Sequence, residues 1–265
     1  MKIDLQDIID VVREAGQLSL RKKKKKPRVR IKANNTPVTE ADLAVNDFLI
    51  ERLSDYGFPT LSEERADRIE RLDHATLWII DPIDGTSHYV AKRDDFAVSV
   101  GLVKDRQPIL GVVYAPVEDV LYFSEAGQGA YRQLAGQSPE RIHVSDRRES
   151  DSVVVMPKKH FCQVEQGLVD GLGTSAVIKR GSFVIKACLI AEGSGDLYVN
   201  PTDETSEWDL CAVDVILSEA GGRLTDMDGG GFMYNKSDVK NHRGVVLSNG
   251  QEHDRVLQIL NTMGL

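Results

Sequence analysis

An apolar run ends in two aspartates at Trp78-Ile79-Ile80-Asp81-Pro82-Ile83-Asp84-Gly85-Thr86. Pro82 removes one backbone donor and biases Asp81 toward an extended conformation. Asp84 follows on the same tight turn, and two carboxylates so close repel each other unless a cation sits between them. Hard oxygen donors of this kind suit magnesium, which keeps several waters and shares phosphate oxygens. Gly85-Thr86 can open a helix whose first N–H groups lack intrahelical acceptors, a place that favours a phosphate. Asp and Gly are also ordinary turn residues. What points to chemistry is the buried-type strand running straight into both acids.

Three more acidic segments carry both a structural and a chemical reading. Glu63-Glu64 closes the short stretch Leu61-Ser62, and adjacent glutamates are commonly a solvated surface pair. Ser206-Glu207-Trp208-Asp209 and Thr39-Glu40-Ala41-Asp42 both have the spacing of a helix capping box. Taken singly, Asp42 and Asp209 therefore read as helix caps.

The elements that must position these acids follow from periodicity. Leu5, Ile8, Ile9, Val12, Ala15 and Leu18 recur at helical spacing over residues 3–20, and Leu43, Ala44, Phe48, Leu49 and Leu53 do so over 41–53. Short strands are expected at 29–31, 77–80, 96–103, 109–114, 120–123 and 129–132, the later ones as an antiparallel meander. Beyond about residue 145 strands (153–156, 177–178, 197–199, 244–247) alternate with helices (184–192, 208–220 and a final one). That pattern predicts an α+β half, 1–145, followed by an α/β half, 146–265.

A net charge of −8 argues against nucleic acid as a partner. The exception is the basic stretch Arg21 to Lys26 with Arg28, Arg30 and Lys32, which reads as a solvated helix end before a turn at Pro27. Lysines suit the negative end of a helix dipole. No apolar run reaches bilayer length and the start has no signal-peptide pattern. Cys162, Cys188 and Cys211 are odd in number and scattered, which favours reduced thiols and a cytoplasmic setting.

Asp42, Glu63-Glu64, Asp81 to Thr86, Trp208-Asp209 and Glu219-Ala220-Gly221-Gly222 occur in an order that resembles the inositol monophosphatase superfamily. That superfamily includes 3'(2'),5'-bisphosphate nucleotidases and some fructose-1,6-bisphosphatases. The resemblance spans nearly the whole chain and implies a layered α-β-α-β-α sandwich. It also implies a phosphomonoesterase with two or three Mg2+ ions, sensitive to lithium and working without a covalent intermediate. By the same resemblance Glu63, Asp81, Asp84 and Asp209 would be side-chain metal ligands and Ile83 a carbonyl ligand. Thr86 and Glu63 would orient the attacking water, with Asp42 bonded to Thr86. Gly85 and Thr86 N–H groups would hold the phosphate, with Asp84 and Asp209 facing the substrate.

The resemblance further implies a small phosphorylated metabolite as substrate and a monomer or homodimer. Residues 36–42, 108–116, 186–193 and 206–209 look more like bacterial bisphosphate nucleotidases than inositol enzymes. Val199 follows Tyr198 where inositol enzymes carry a glutamate that contacts the ring. Lys186 could meet a second phosphate, or simply extend its stem along a helix. Two departures point elsewhere: Ser87-His88-Tyr89 replaces the nucleotidases' usual Lys-Glu-aromatic, and the spacing of Gly181-Ser182-Phe183 to Lys186 matches monophosphatases. Ser182 either touches phosphate or caps the helix at Val184, and His88 either touches a substrate ring or belongs to surface or core. The sequence favours a nucleotide bisphosphate such as adenosine 3',5'-bisphosphate, with an inositol, sugar or histidinol phosphate as the alternative.

Overall fold

The computed structural model describes residues 3–25, 28–32, 36–158 and 163–264. Lys26, Pro27 and Cys162, named above, lie outside them. The chain begins with α1 (Leu5–Lys24), a hairpin of β1 (Val29–Ile31) and β2 (Pro37–Thr39), α2 (Glu40–Ser54) and β3 (Thr60–Ser62). Then come β4 (Thr76–Asp84), α3 (Thr86–Val90), β5 (Ala97–Lys104) and β6 (Gln107–Ala115). The first sheet closes with β7 (Val120–Glu125), β8 (Ala130–Leu134) and β9 (Glu140–Ile142). The second half runs β10 (Val154–Pro157), α4 (Gln163–Leu172), β11 (Val177–Arg180), α5 (Phe183–Ala191) and β12 (Leu197–Asn200). It ends with α6 (Glu207–Glu219), β13 (Arg223–Thr225), β14 (Val245–Ser248) and α7 (His253–Thr262).

Strands β3 to β9 form a seven-stranded sheet in chain order, parallel only between β3 and β4. The other sheet has the order β11-β10-β12-β14-β13. Period-two alternation decides which layer each side chain joins. Trp78 and Ile80 of β4 pack with Ile8, Val12, Val45 and Leu49 of α1 and α2. Leu77 and Ile79, one step out of phase, pack on the opposite face with Val184, Leu210 and Ile216 of α5 and α6. Val245 and Leu247 of β14 reach that same central core, while Val246 joins Leu168 and Val256 of α4 and α7. The outcome is the expected α-β-α-β-α sandwich. The central strands of the two large sheets are covered on both faces and read as near-continuous apolar runs, whereas β8, β9 and β11 toward the edges are polar and more exposed.

Helix α6, which carries Asp209, approaches the first sheet closely because two glycines make room. Gly101 and Gly111 are cross-strand partners on β5 and β6. A Cβ on Gly111 would lie 2.2 Å from the Ala212 carbonyl oxygen, and one on Gly101 2.4 Å from Cys211 Sγ. The same device explains why α4 escapes a periodicity reading. Gly167 and Gly171 look like turn signals in sequence, yet they are where Met263 and Ile259 press against the helix.

The basic run ends α1 as expected. Lys23 Nζ donates to the Arg93 carbonyl at 2.6 Å and to Asp94 at 2.9 Å. Cys188 and Cys211 are free and buried. Among the described residues no helix is long and apolar enough to cross a membrane. A Gly111→Ala substitution is predicted to push α6 off the sheet. It should cost about 1–3 kcal/mol of stability by overpacking, read as a drop of several degrees in thermal midpoint, whereas Gly231→Ala, which meets no neighbour within 4 Å, adds no such clash.

Candidate functional site

The acids converge at the carboxyl end of the parallel pair β3-β4, the kind of crevice where α/β sheets bind ligands. Ser62 pairs with Ile80, and the Glu63 N–H bonds the Ile80 carbonyl at 3.4 Å, so Glu63 leaves β3 beside the end of β4. The β4-β5 register breaks between Asp81 and Asp84. Pro82 sits in that break, where its missing donor does no harm. Asp81 Oδ1 accepts the Ile83 N–H at 3.0 Å, which fixes the turn. Gly85 has φ +91°, and a Cβ there would lie 2.8 Å from the Asp95 carbonyl oxygen, so only glycine fits before α3.

Asp81, Asp84 and Asp209 each offer a carboxylate oxygen within 4.8 Å of the others. Burial, then the charges of Glu63, Asp84 and Asp209, push the Asp81 carboxyl well above the ordinary range. Asp209 is pushed up to about 8 by burial and by Asp84 and Glu63. Asp84 is also raised by burial, although Ser182 and Lys186 oppose the shift. Three close carboxylates that resist ionisation together fit a divalent cation, whose oxygen-donor requirement they match.

Glu63 stands outside that group. Lys32 Nζ bonds Glu63 Oε1 at 2.9 Å and Glu64 Oε1 at 2.6 Å. The pair is not a solvated surface feature: the Glu64 side chain is only 3% exposed, and burial with the Glu63 charge raises its carboxyl to about 7. Lys32 is the residue that sequence reasoning missed. It lay in a basic run read as solvated, and only the β1-β2 hairpin brings its ammonium over the two glutamates.

Asp42 caps α2 and also reaches Thr86. Its Oδ2 accepts the Thr39 N–H at 2.8 Å, completing the capping box of α2. Its Oδ1 accepts the Thr86 hydroxyl at 2.9 Å, and Thr86 Oγ1 is also 3.0 Å from the Ile83 carbonyl. Asp209 likewise accepts the Ser206 N–H at 2.7 Å at the start of α6 while its carboxylate joins the triad. Ser182 is the N-cap of α5, accepting the Ile185 N–H at 3.1 Å, and its hydroxyl donates to Asp84 Oδ2. Val184 N–H bonds the same oxygen at 3.0 Å.

A cavity of about 440 Å³ opens from Asp84 and Asp209. Lys186, Phe183, Tyr198 and Glu165 line it, with Val199 and Thr205. The Lys186 ammonium donates to the Gly181 carbonyl at 3.1 Å and lies 4.6 Å from the Tyr198 ring centroid. Burial lowers its pKa to about 8, against the pull of Asp84 and Asp95. His88 is buried, its ring against Gly181, where a Cβ would come within 2.2 Å of Nε2; it is a packing residue. A larger groove of about 580 Å³, lined by Leu72, His74, Arg106 and Asn235 among others, contains none of the triad.

This is the layered α/β architecture and acidic centre of a phosphoric monoester hydrolase. The Inositol monophosphatase family model matches residues 4–264, and the chain belongs to that family of metal-dependent phosphatases. It is 33% identical over 252 residues to a 3'(2'),5'-bisphosphate nucleotidase CysQ of Aggregatibacter actinomycetemcomitans, covering 88% of this chain and 87% of that protein. A histidinol-phosphatase of Mycobacterium tuberculosis is 34% identical over 241 residues, covering 88% of each. The CysQ structure of Bacteroides thetaiotaomicron superposes with a TM-score of 0.80 at 29% identity, covering 93% of this chain and 97% of that one. An IMPase of Thermotoga maritima gives 0.82 at 26% identity, covering 98% and 97%.

The raised carboxyls carry a pH prediction. A carboxyl whose folded pKa exceeds its unfolded value contributes stability below the unfolded pKa and loses it as pH rises through the folded one. Without divalent ions, thermal midpoints should therefore fall from about pH 4 to about pH 8 through Asp209. Saturating Mg2+ should raise the midpoint more at the upper end of that window than at the lower, because the ligands must be deprotonated to bind. Differential scanning fluorimetry across the range checks both; a metal-induced shift independent of pH would contradict them.

Proposed function

We propose that the protein is a Mg2+-dependent, lithium-sensitive phosphomonoesterase whose preferred substrate is a nucleoside bisphosphate such as adenosine 3',5'-bisphosphate, cleaved to AMP and phosphate. The observation that carries this reading is the cluster of buried Asp81 and Asp84 with half-buried Asp209, the last two lining a cavity that Lys186 also walls. Residues 1–145 supply Asp42, Glu63, Asp81, the Ile83 carbonyl, Asp84 and Thr86; residues 146–265 add Asp209, Ser182 and Lys186.

Two or three Mg2+ ions bound by those oxygens would offset the phosphate charge and lower the pKa of a bound water. Thr86 donates its proton to Asp42 Oδ1, which leaves the Thr86 oxygen free to accept from the attacking water and so orient it. Glu63 flanks the same water from the end of β3. Thr86 is thus a positioner of water, not a nucleophile, and no covalent intermediate is needed. The Gly85 and Thr86 N–H groups hold the phosphate at the start of α3. Ser182 and Asp84 stand behind it, and Asp209 closes the leaving-group side. Lys186 meets the second phosphate by a charge-assisted bond between the Phe183 and Tyr198 rings.

The similarity to CysQ proteins supports the bisphosphate, and Val199 on the cavity wall offers an inositol ring no carboxylate. A second reading has its own support. Glu165 lines the same cavity and would suit a cationic substrate group, consistent with the similarity to a histidinol-phosphatase.

Turnover of adenosine 3',5'-bisphosphate, inositol 1-phosphate and histidinol phosphate should favour the first; a clear preference for either of the others would overturn the substrate assignment. Asp84→Asn should cut phosphate release from any of them by at least about a hundredfold, at or beyond the upper end of what loss of a ligand's supporting partner costs. Lys186→Met should raise KM for the bisphosphate about tenfold, the worth of one charge-assisted bond, and leave KM for a monophosphate little changed.

A further inference from the structure

Gly181 stands between the two halves of the site, and every part of its backbone is engaged. Its N–H donates to Asp95 Oδ2 at 2.8 Å. Its carbonyl accepts the Lys186 ammonium at 3.1 Å. Its Cα faces the His88 ring so closely that no side chain fits. The residue after it, Ser182, caps α5 and donates to Asp84 Oδ2, the same oxygen that Val184 N–H bonds from the first turn of that helix.

Asp95 precedes β5 in the first sheet, yet its buried carboxylate holds groups from the second. Besides Gly181 N–H, just past β11, its Oδ2 accepts Lys158 Nζ at 2.6 Å, just past β10. Burial works against this charge, but Lys158 and the Gly181 N–H outweigh it and hold the Asp95 carboxyl below the ordinary range. The Asp95 carbonyl oxygen, meanwhile, blocks any side chain at Gly85. One residue thus abuts the turn after Asp84 with its backbone and the turn before Ser182 with its side chain.

We propose that Asp95 is a positioning residue: with Lys158 it fixes the Gly181–Ser182 turn, and through Ser182 it sets the Asp84 carboxylate for divalent-cation binding. Asp95 touches neither substrate nor ion. It acts at a distance of two hydrogen-bonded steps, Asp95 to Gly181 and Ser182 to Asp84. The inference rests on the reading of Asp84 as a cation ligand.

The test is calorimetric titration of Mg2+ into the metal-free protein without substrate, for wild type, Asp95→Asn, Ser182→Ala and the double variant, with thermal midpoints recorded alongside. Groups that orient a metal ligand typically change affinity by about 10–100-fold. Asp95→Asn and Ser182→Ala should each weaken Mg2+ by about tenfold or more. The double variant should be no weaker than the worse single one, because the two act along one path. Lys158→Met, which leaves the carboxylate in place, should give a smaller shift in the same direction and serves if Asp95→Asn does not fold. A lowered midpoint with Mg2+ affinity within about twofold of wild type would reduce Asp95 to a structural staple, and fully multiplicative losses would show that it does not act through Ser182. If wild type itself takes up no Mg2+, it is the functional reading that fails; if only the variants behave like wild type, this inference alone fails.

Discussion

The structure is organised around an electrostatic conflict. Asp81 and Asp84 come from β4 and Asp209 from α6, and their oxygens meet within 4.8 Å. Placing three carboxylates together away from water costs free energy in the absence of a counter-charge. The raised carboxyls of Asp81 and Asp209 are the signature of that cost. What keeps the acids together is packing elsewhere: two sheets sharing one central core through α5 and α6, and glycines that let α6 lie close against β5 and β6.

The polar groups around the triad show how the conflict is shared out. Helix starts do much of the work. Asp42 accepts the Thr39 N–H with one oxygen and the Thr86 hydroxyl with the other, and Asp209 accepts the Ser206 N–H while its carboxylate lies in the triad. Ser182 caps α5 and steadies Asp84. Lys32 bridges Glu63 and Glu64 next to the β1-β2 hairpin, and Lys186 lines the cavity, bonded to Gly181. Two lysines of the protein thus lie near the acidic centre, one bonded to Glu63 and Glu64 and one lining the cavity.

Much of this was legible in the chain. The Asp81-Pro82-Ile83-Asp84-Gly85-Thr86 turn, Asp42 and Asp209 were named from spacing and resemblance, and the α-β-α-β-α layering followed from them. Capping spacing and site chemistry looked like rival readings for Asp42 and Asp209, but a cap does not take the residue out of the cluster: Asp42 also bonds Thr86, and Asp209 also lies beside Asp81 and Asp84. What could not be read were contacts between residues distant in sequence. Lys32 meets Glu63 only through the hairpin's placement. Gly167 and Gly171 of α4 leave room for Met263 and Ile259 at the end of α7. Asp95 carried no motif, because its partners Lys158 and Gly181 belong to another sheet. Glu64, read as a surface residue, is buried because Lys32 covers it. Local patterns report elements; pairings across sheets depend on the completed fold.

The central claim, that these carboxylates form one cation site, is tested most directly by anomalous diffraction from crystals soaked in Mn2+. An anomalous peak is expected among the oxygens of Asp81, Asp84 and Asp209, lost in Asp84→Asn. Manganese bound only elsewhere on the surface, with nothing among the three aspartates of the wild type, would contradict it.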